Sequence, residues 1–280
     1  MDQLTRVKLA VAAAEYGGGN SRVSQLARRS GISGFSDMFE SLSTGDRDQV
    51  DARATALVSK GVSAALIGTT EYPQSLLAIP GSPSFLFYMG ADALLSCPGI
   101  GVCGSRDVSS EGLRAARACG AIASQYGFTV ISGYARGVDI ATHTSALSSG
   151  GTTVLVLPEG IEHFRVRRGD FAEVWDPKRT LVISQFAPGR PWSAGNAMSR
   201  NKVIIGLSLA LIVVEARDCG GTFAAGSEAL KLHRRVMALE FSEVPRGNAV
   251  LLERGAVSVG NRVELSERLL ELLDSPDYER

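Results

Sequence analysis

Net charge is missing from this sequence. Its 29 Lys and Arg balance 29 Asp and Glu, which excludes a polycation coating nucleic acid along its whole surface. A local basic pocket is not excluded, because phosphate contacts depend on clustering and not on the sum. Cysteine is scarce: Cys97, Cys103, Cys119 and Cys219 form no C-x-x-C pair, and only 3 His are present to complete a metal site. That spacing suits neither zinc nor a disulfide framework, so no metal is expected and the thiols read as reduced groups of a cytoplasmic protein. Long apolar runs are missing too. The longest, residues 203–216, is broken by Gly206 and falls short of the roughly 18–20 residues of a membrane span. Residues 1–14 mix charged with apolar positions and hold no signal-peptide core. Aromatics make up only 6%, and none of them stands out as a stacking residue.

What is present is an ordinary globular balance, 45% hydrophobic and 21% charged over 280 residues. That is enough for one large α/β domain and a small extra module. Residues 1–68 read as the helical N-terminal module, with an Ala-rich stretch at 4–15 and amphipathic stretches at 24–30, 37–42 and 47–60. Within it, residues 24–33 have a helix-turn-helix flavour, with Gly31 at the turn and Leu26, Ala27 and Ile32 facing inward. Residues 69–280 read differently. After the proline-punctuated segment 72–90, short apolar runs at 100–103, 128–131, 154–157, 181–183, 209–214 and 236–239 alternate with helical stretches at 111–126, 138–147 and 222–233. A last helix spans 263–273. Alternating β and α with strands apolar on both faces predict a doubly wound, mostly parallel, Rossmann-like sheet.

In such sheets ligands bind beyond the carboxyl ends of the strands, at helix N-termini. The loops there are rich in Gly and Ser: Gly104-Ser105-Arg106, Ser132 to Gly137 with Arg136, Pro158-Glu159-Gly160, Ser184-Gln185, and 215–222. Glycine lets backbone N–H groups approach an anion, and Arg adds forked donors that fit phosphate oxygens. Arg200 and Lys202 open an apolar helix at its unfavourable end for cations, which calls for something anionic beside them. Several positions also have plain structural readings. His143 suits a core or capping role. Glu215 fits a ribose hydroxyl or neighbouring loop amides equally well. Arg165, Arg167 and Arg168 suit a solvated loop. The apolar stretch 230–239 suits a subunit interface.

Taken in order, these blocks resemble the DNA-processing protein A (DprA/Smf) family from residue 72 to about residue 259. Tyr72-Pro73-Gln74-Ser75-Leu76-Leu77 with Tyr88-Met89-Gly90 is similar to its opening segment, and Val102-Cys103-Gly104-Ser105-Arg106 to its V-G-S-R loop. Ser132-Gly133-Tyr134-Ala135-Arg136-Gly137-Val138-Asp139 with His143 resembles S-G-x-A-x-G-I-D-x-x-A-H. Arg200-Asn201-Lys202-Val203-Ile204-Ile205-Gly206-Leu207-Ser208 resembles R-N-R-I-I-A-G-L-S, and Val213-Val214-Glu215-Ala216 precedes a small-residue turn, Gly220-Gly221-Thr222. The resemblance implies a homodimer that binds single-stranded DNA and loads a RecA-type recombinase, with no cofactor and no catalytic residue. Carried over by position, Gly104, Ser105 and Arg106 hold phosphate, and Ser132, Gly133, Arg136 and Gly137 form the next wall. Arg200, Asn201 and Lys202 line a third side and Gly220, Gly221 and Thr222 complete it, with Asp139, His143 and Glu215 in support. The chain departs from the family pattern at Ser184-Gln185, where S-E is usual. It departs again at His163-Phe164, where a Y-P-like segment is usual, and at Cys219-Gly220-Gly221-Thr222.

Two other functions remain open on sequence. One is a Rossmann-like sensor of a nucleotide-derived signal, for example in phage defence, which the altered loops and neutral charge fit. The other is a phosphoribohydrolase on the same fold. Those enzymes carry P-G-G-x-G-T-x-x-E, whereas here no proline precedes Gly220-Gly221-Thr222 and Glu228 comes late in the following helix. No nucleophile–base pair is legible elsewhere.

Overall fold

The computed structural model describes residues 1–166 and 169–274, apart from the side chains of Asn20 and Ser21. Arg167 and Arg168 thus lie outside the described residues. The N-terminal third begins with α1 (Gln3–Tyr16), α2 (Asn20–Glu40) and α3 (Thr44–Ser59). Local chemistry starts these helices. Asp2 accepts the Thr5 amide at 2.8 Å, and Ser43 accepts that of Asp46 at 3.2 Å, each satisfying an otherwise orphaned donor. The predicted turn at Gly31 is a kink within α2, where the backbone enters φ 56°, ψ −138°. Ala27 is buried there, while Leu26 and Ile32 are only half-buried.

The helical module read over residues 1–68 includes a strand that the reading did not expect, β1 (Ser63–Leu66), which pairs antiparallel with β2 (Phe85–Gly90). Between them runs the single turn α4 (Gln74–Leu77). The chain then alternates: β3 (Gly99–Cys103), α5 (Ser110–Gln125), β4 (Thr129–Ser132), α6 (Val138–Ser148), β5 (Thr153–Val156), α7 (Asp170–Val174), β6 (Thr180–Ser184). It continues through α8 (Ala194–Ser199), α9 (Asn201–Leu207), β7 (Ser208–Val213), α10 (Gly221–Lys231), β8 (Arg235–Leu239), α11 (Arg246–Glu253), β9 (Val257–Val259) and α12 (Arg262–Leu273).

The result is a 9-stranded sheet in the order β1-β2-β6-β5-β4-β3-β7-β8-β9. From β6 to β9 all neighbours run parallel, and β2 joins β6 antiparallel. The doubly wound, mostly parallel expectation is met. Helices cover both faces because strand side chains alternate between two cores. On β7, Ala210 and Ile212 join one cluster with α5 and α12, while Leu211 and Val213 join the other with α1, β1 and β2. From β3 the chain winds one way to β6. It then crosses back to β7, beside β3, and winds the other way. The two halves part at β3 and β7, which is the topological switch point where α/β sheets open a crevice.

Within the stretch 230–239, read as a candidate interface, Lys231, His233 and Arg235 are exposed and only residues 236–239 are interior. Residues 236–239 form the buried part of β8, because a parallel strand covered on both faces must be apolar throughout.

Candidate functional site

A cavity of about 590 Å³ opens at this switch point. The N-termini of α5, α6 and α10 approach it from the carboxyl ends of β3, β4 and β7. At α6 and α10 the N-cap positions are Gly137 and Gly220, and no side chain caps either helix. At α10 the first amides keep the positive end of the helix dipole available to an anion, whereas the first amide of α6, that of Val138, donates to the Ser105 carbonyl at 3.3 Å. The α5 N-terminus is capped instead. Ser109 accepts the Gly112 amide at 2.9 Å, and the Glu215 carboxylate accepts the Ser109 amide at 3.0 Å and its hydroxyl. Of the two readings of Glu215, the loop-amide role is the one observed.

The loops are tied to one another by side chains. The Thr222 hydroxyl donates to the Gly104 carbonyl at 3.0 Å, and the Asn201 amide donates to the Gly221 carbonyl at 3.3 Å. Below the exit of β7, buried Asn248 accepts the Ala216 amide at 2.8 Å and donates to the Val214 and Leu239 carbonyls at 2.9 and 2.8 Å. Ser132 donates to the Val102 carbonyl at 2.5 Å, joining β4 to β3. Tyr134 holds a positive φ of 64°, a conformation costing about 1–2 kcal/mol for an L residue. Its ring is turned away from the main cavity, against Phe164 and Phe171 at 5.5 and 5.4 Å, and its hydroxyl donates to the Arg165 carbonyl at 3.0 Å.

Arg200 forms the floor. It is 6% exposed, donates to the Val156 carbonyl at 2.5 Å and faces Asp139 at 3.8 Å. Asp139 in turn accepts the Ala135 amide at 3.1 Å. The anion expected beside Arg200 is therefore supplied first by the chain itself. Burial pushes the Asp139 carboxyl above its ordinary range, with Arg200 opposing, and burial draws the Arg200 guanidinium down. The Arg200 Nε has no partner. A Cβ at Gly133 would overlap the Arg200 guanidinium, so only glycine lets that group lie flat against the loop. At Gly137, φ is +81° and a Cβ would stand 2.8 Å from the Arg106 carbonyl oxygen, which requires glycine twice over.

Most predicted site residues meet at this cavity: Gly104, Ser105, Arg106, Ser132, Gly133, Arg136, Asp139, Arg200, Asn201, Glu215, Gly220, Gly221 and Thr222. Others do not line it. Lys202 turns aside and donates to the Pro80 carbonyl at 3.2 Å, since the helical step from Asn201 carries its side chain about 100° around α9. Gly137 lies behind the Ser105 and Arg106 backbone. His143 is fully buried beneath the sheet edge. Its Nδ1 bonds the Thr153 hydroxyl at 2.6 Å, and that hydroxyl donates to the Val130 carbonyl at 2.9 Å. Thr153 must then accept, which places the proton on Nδ1. Burial, reinforced by Arg200, lowers the His143 pKa to about 3.

Charge in the cavity is partly committed. Arg136 pairs with Asp107, Arg200 faces Asp139, and Glu215 is held by Ser109. Arg106 and Arg217 are exposed and, among the described residues, have no ion-pair partner. Sequence reasoning missed Arg217, together with Trp192 and Met198, which also line the cavity. A Trp beside Pro191 in a Gly- and Pro-rich segment was the available signal. Among the described residues no group of His, Cys, Asp and Glu could hold a metal ion, and no helix is long and apolar enough to cross a membrane.

Comparison with known proteins supplies a family match and a fold match. Residues 63–270 match the family described as DNA recombination-mediator protein A. Protein Smf of Synechocystis is 31% identical over 207 residues, covering 71% of this chain and 51% of that protein. The chain thus spans about half the length of that relative. Among solved structures, DNA processing protein A (DprA) of Streptococcus pneumoniae superposes with a TM-score of 0.74 at 24% identity, covering 95% of this chain and 97% of that one. DNA processing protein A of Helicobacter pylori, whose structure addresses its single-stranded DNA binding mode, gives 0.65 at 21% identity, covering 74% and 96%.

Proposed function

The chain belongs to the DNA recombination-mediator protein A family, and from that premise we propose that it binds single-stranded DNA in the switch-point cavity. In this reading it passes the strand to a RecA-type recombinase in the cytoplasm. The observation that carries the proposal is the uncommitted pair of guanidiniums, Arg106 and Arg217, at the same cavity as the uncapped N-terminus of α10. Forked cations and oriented N–H groups at one cavity match the sugar–phosphate backbone and read no sequence. Trp192 and Met198, which also line the cavity, give the bases an apolar surface. The role needs binding and release, and no step of turnover. A homodimer would present two such cavities to one strand, raising avidity without new contacts.

The test is titration of the protein with a fluorescent dT strand of roughly 20–60 nucleotides, at low and moderate salt. Duplex DNA and mononucleotides serve as competitors. Salt-sensitive binding that mononucleotides do not displace supports the proposal. A cavity of about 590 Å³ also accommodates a single nucleotide, which keeps the signal-sensor reading in view. Tight retention of a mononucleotide with no strand binding would overturn the DNA reading in its favour.

A further inference from the structure

A smaller cavity of about 210 Å³ adjoins the main one, and the two share Arg106, Gly133, Ala135, Arg136, Trp192 and Arg200 along their common wall. Beyond that wall the smaller cavity is lined by Tyr134, Leu157, Pro158 and Glu159. Trp192 thus stands between two spaces. It is 49% exposed, unusual for the largest side chain in a protein short of aromatics. The Arg106 guanidinium lies over its ring at 5.7 Å from the centroid, a cation–π arrangement. The other tryptophan, Trp175, behaves differently, being half-buried between Phe164 and Phe171 at 5.5 and 5.7 Å. Packing therefore accounts for Trp175 and leaves Trp192 without such an account.

We infer that Trp192 and the smaller cavity form a nucleobase subsite, in which one base stacks on the indole while the adjoining phosphate rests on Arg106. The inference rests on the single-strand reading above and names the side chain that holds a base within it. A nucleotide needs a cation for its phosphate and a flat apolar surface for its base, a few ångströms apart. Arg106 and Trp192 are in contact and supply both. Stacking is tolerant of sequence because every base has a π-face, so the subsite adds affinity and little base preference.

The experiment uses Trp175→Phe, which leaves Trp192 as the only indole, together with Trp192→Ala and Trp192→Phe. Titrating Trp175→Phe with a 20-nucleotide dT strand should quench its fluorescence. Trp192→Ala should weaken the strand by about 5- to 150-fold, the range for one stacked base, and Trp192→Phe should recover most of the loss. The salt dependence of Trp192→Ala should equal that of the unaltered protein, since no phosphate contact is removed. A strand lacking bases should bind both proteins alike. Unchanged affinity in Trp192→Ala, or a loss accompanied by a shallower salt dependence, would overturn the inference; the latter would make Trp192 only a support for Arg106. Failure of the unaltered protein to bind any single strand would instead remove the parent reading, and this subsite with it.

Discussion

The cavity's arginines are not equivalent, and the difference is measurable. Arg106 and Arg217 are exposed and uncommitted, whereas Arg200 is buried against Val156 and Asp139. Each phosphate neutralised on a single strand contributes a slope of about −0.7 to log K against log salt. Removing both exposed guanidiniums should flatten that slope by about 1.4. Between 50 and 200 mM salt, the unaltered protein should therefore lose about 7-fold more affinity than the Arg106→Ala/Arg217→Ala double variant. Fluorescence anisotropy of a labelled dT strand over that range reads the difference directly. Arg200→Ala should behave in another way. It leaves the Val156 carbonyl and the buried Asp139 without their cation, which costs about 3 kcal/mol or more of stability. Its signature is a lower denaturant midpoint. A double variant with an unchanged salt slope would refute the assignment of Arg106 and Arg217 as the phosphate contacts. A fully stable Arg200→Ala would refute the structural role given to Arg200.

Other consequences can be checked independently. Gly133→Ala forces a methyl into the Arg200 guanidinium and should cost about 1–3 kcal/mol by overpacking, seen as a lower urea midpoint together with weaker strand binding. Asp107→Asn frees the exposed Arg136 from its ion pair; strand affinity should rise and its salt slope steepen by up to about 0.7, while stability stays within about 1 kcal/mol. If Asp107→Asn binds more weakly, Arg136 is needed in its present place and not as a free cation. His143 titrates at about 3 in the fold against an ordinary 6.5, so between those values the unfolded chain binds more protons than the native one. Its contribution is full above pH 6.5 and is lost as pH falls towards 3, by up to about 1.4 kcal/mol per pH unit. Urea unfolding at pH 7.5, 6.0 and 5.0 should show a shallower pH dependence in His143→Gln, and equal slopes would sink the claim.

The interior of the fold was legible in the sequence because its strands are continuous apolar runs between Gly-rich loops. Residues 100–103 and 154–157 needed no tertiary information to be read as buried strands. The strands β1 and β9 escaped because Ser63–Leu66 and Val257–Val259 are short and lie at the two edges, where no period of burial develops. The cavity lining was legible where a residue's position follows from its loop, as at Gly104, Arg106 and Gly220. It was misleading where side-chain direction decides. Lys202 follows Asn201 in sequence yet points to Pro80, and Arg200 points inward to Asp139. Sequence also gives no view of which charges are already paired, so Arg217 became visible only once Arg136 and Arg200 were seen to be engaged.

Tyr134 has a consequence for how such a cavity can change its ligand. The backbone at that residue borders the cavity in a left-handed conformation, while its ring is anchored in an aromatic cluster beside α7. The shape of the loop is thereby set from below, by packing within the aromatic cluster. Its chemistry is set from above, by the neighbouring side chains at Ala135 and Arg136. The two are separable. Exchanging the cavity-facing residues alters charge and contact without asking the loop to find a new conformation, so one scaffold can be retuned from one anionic ligand to another by substitution alone.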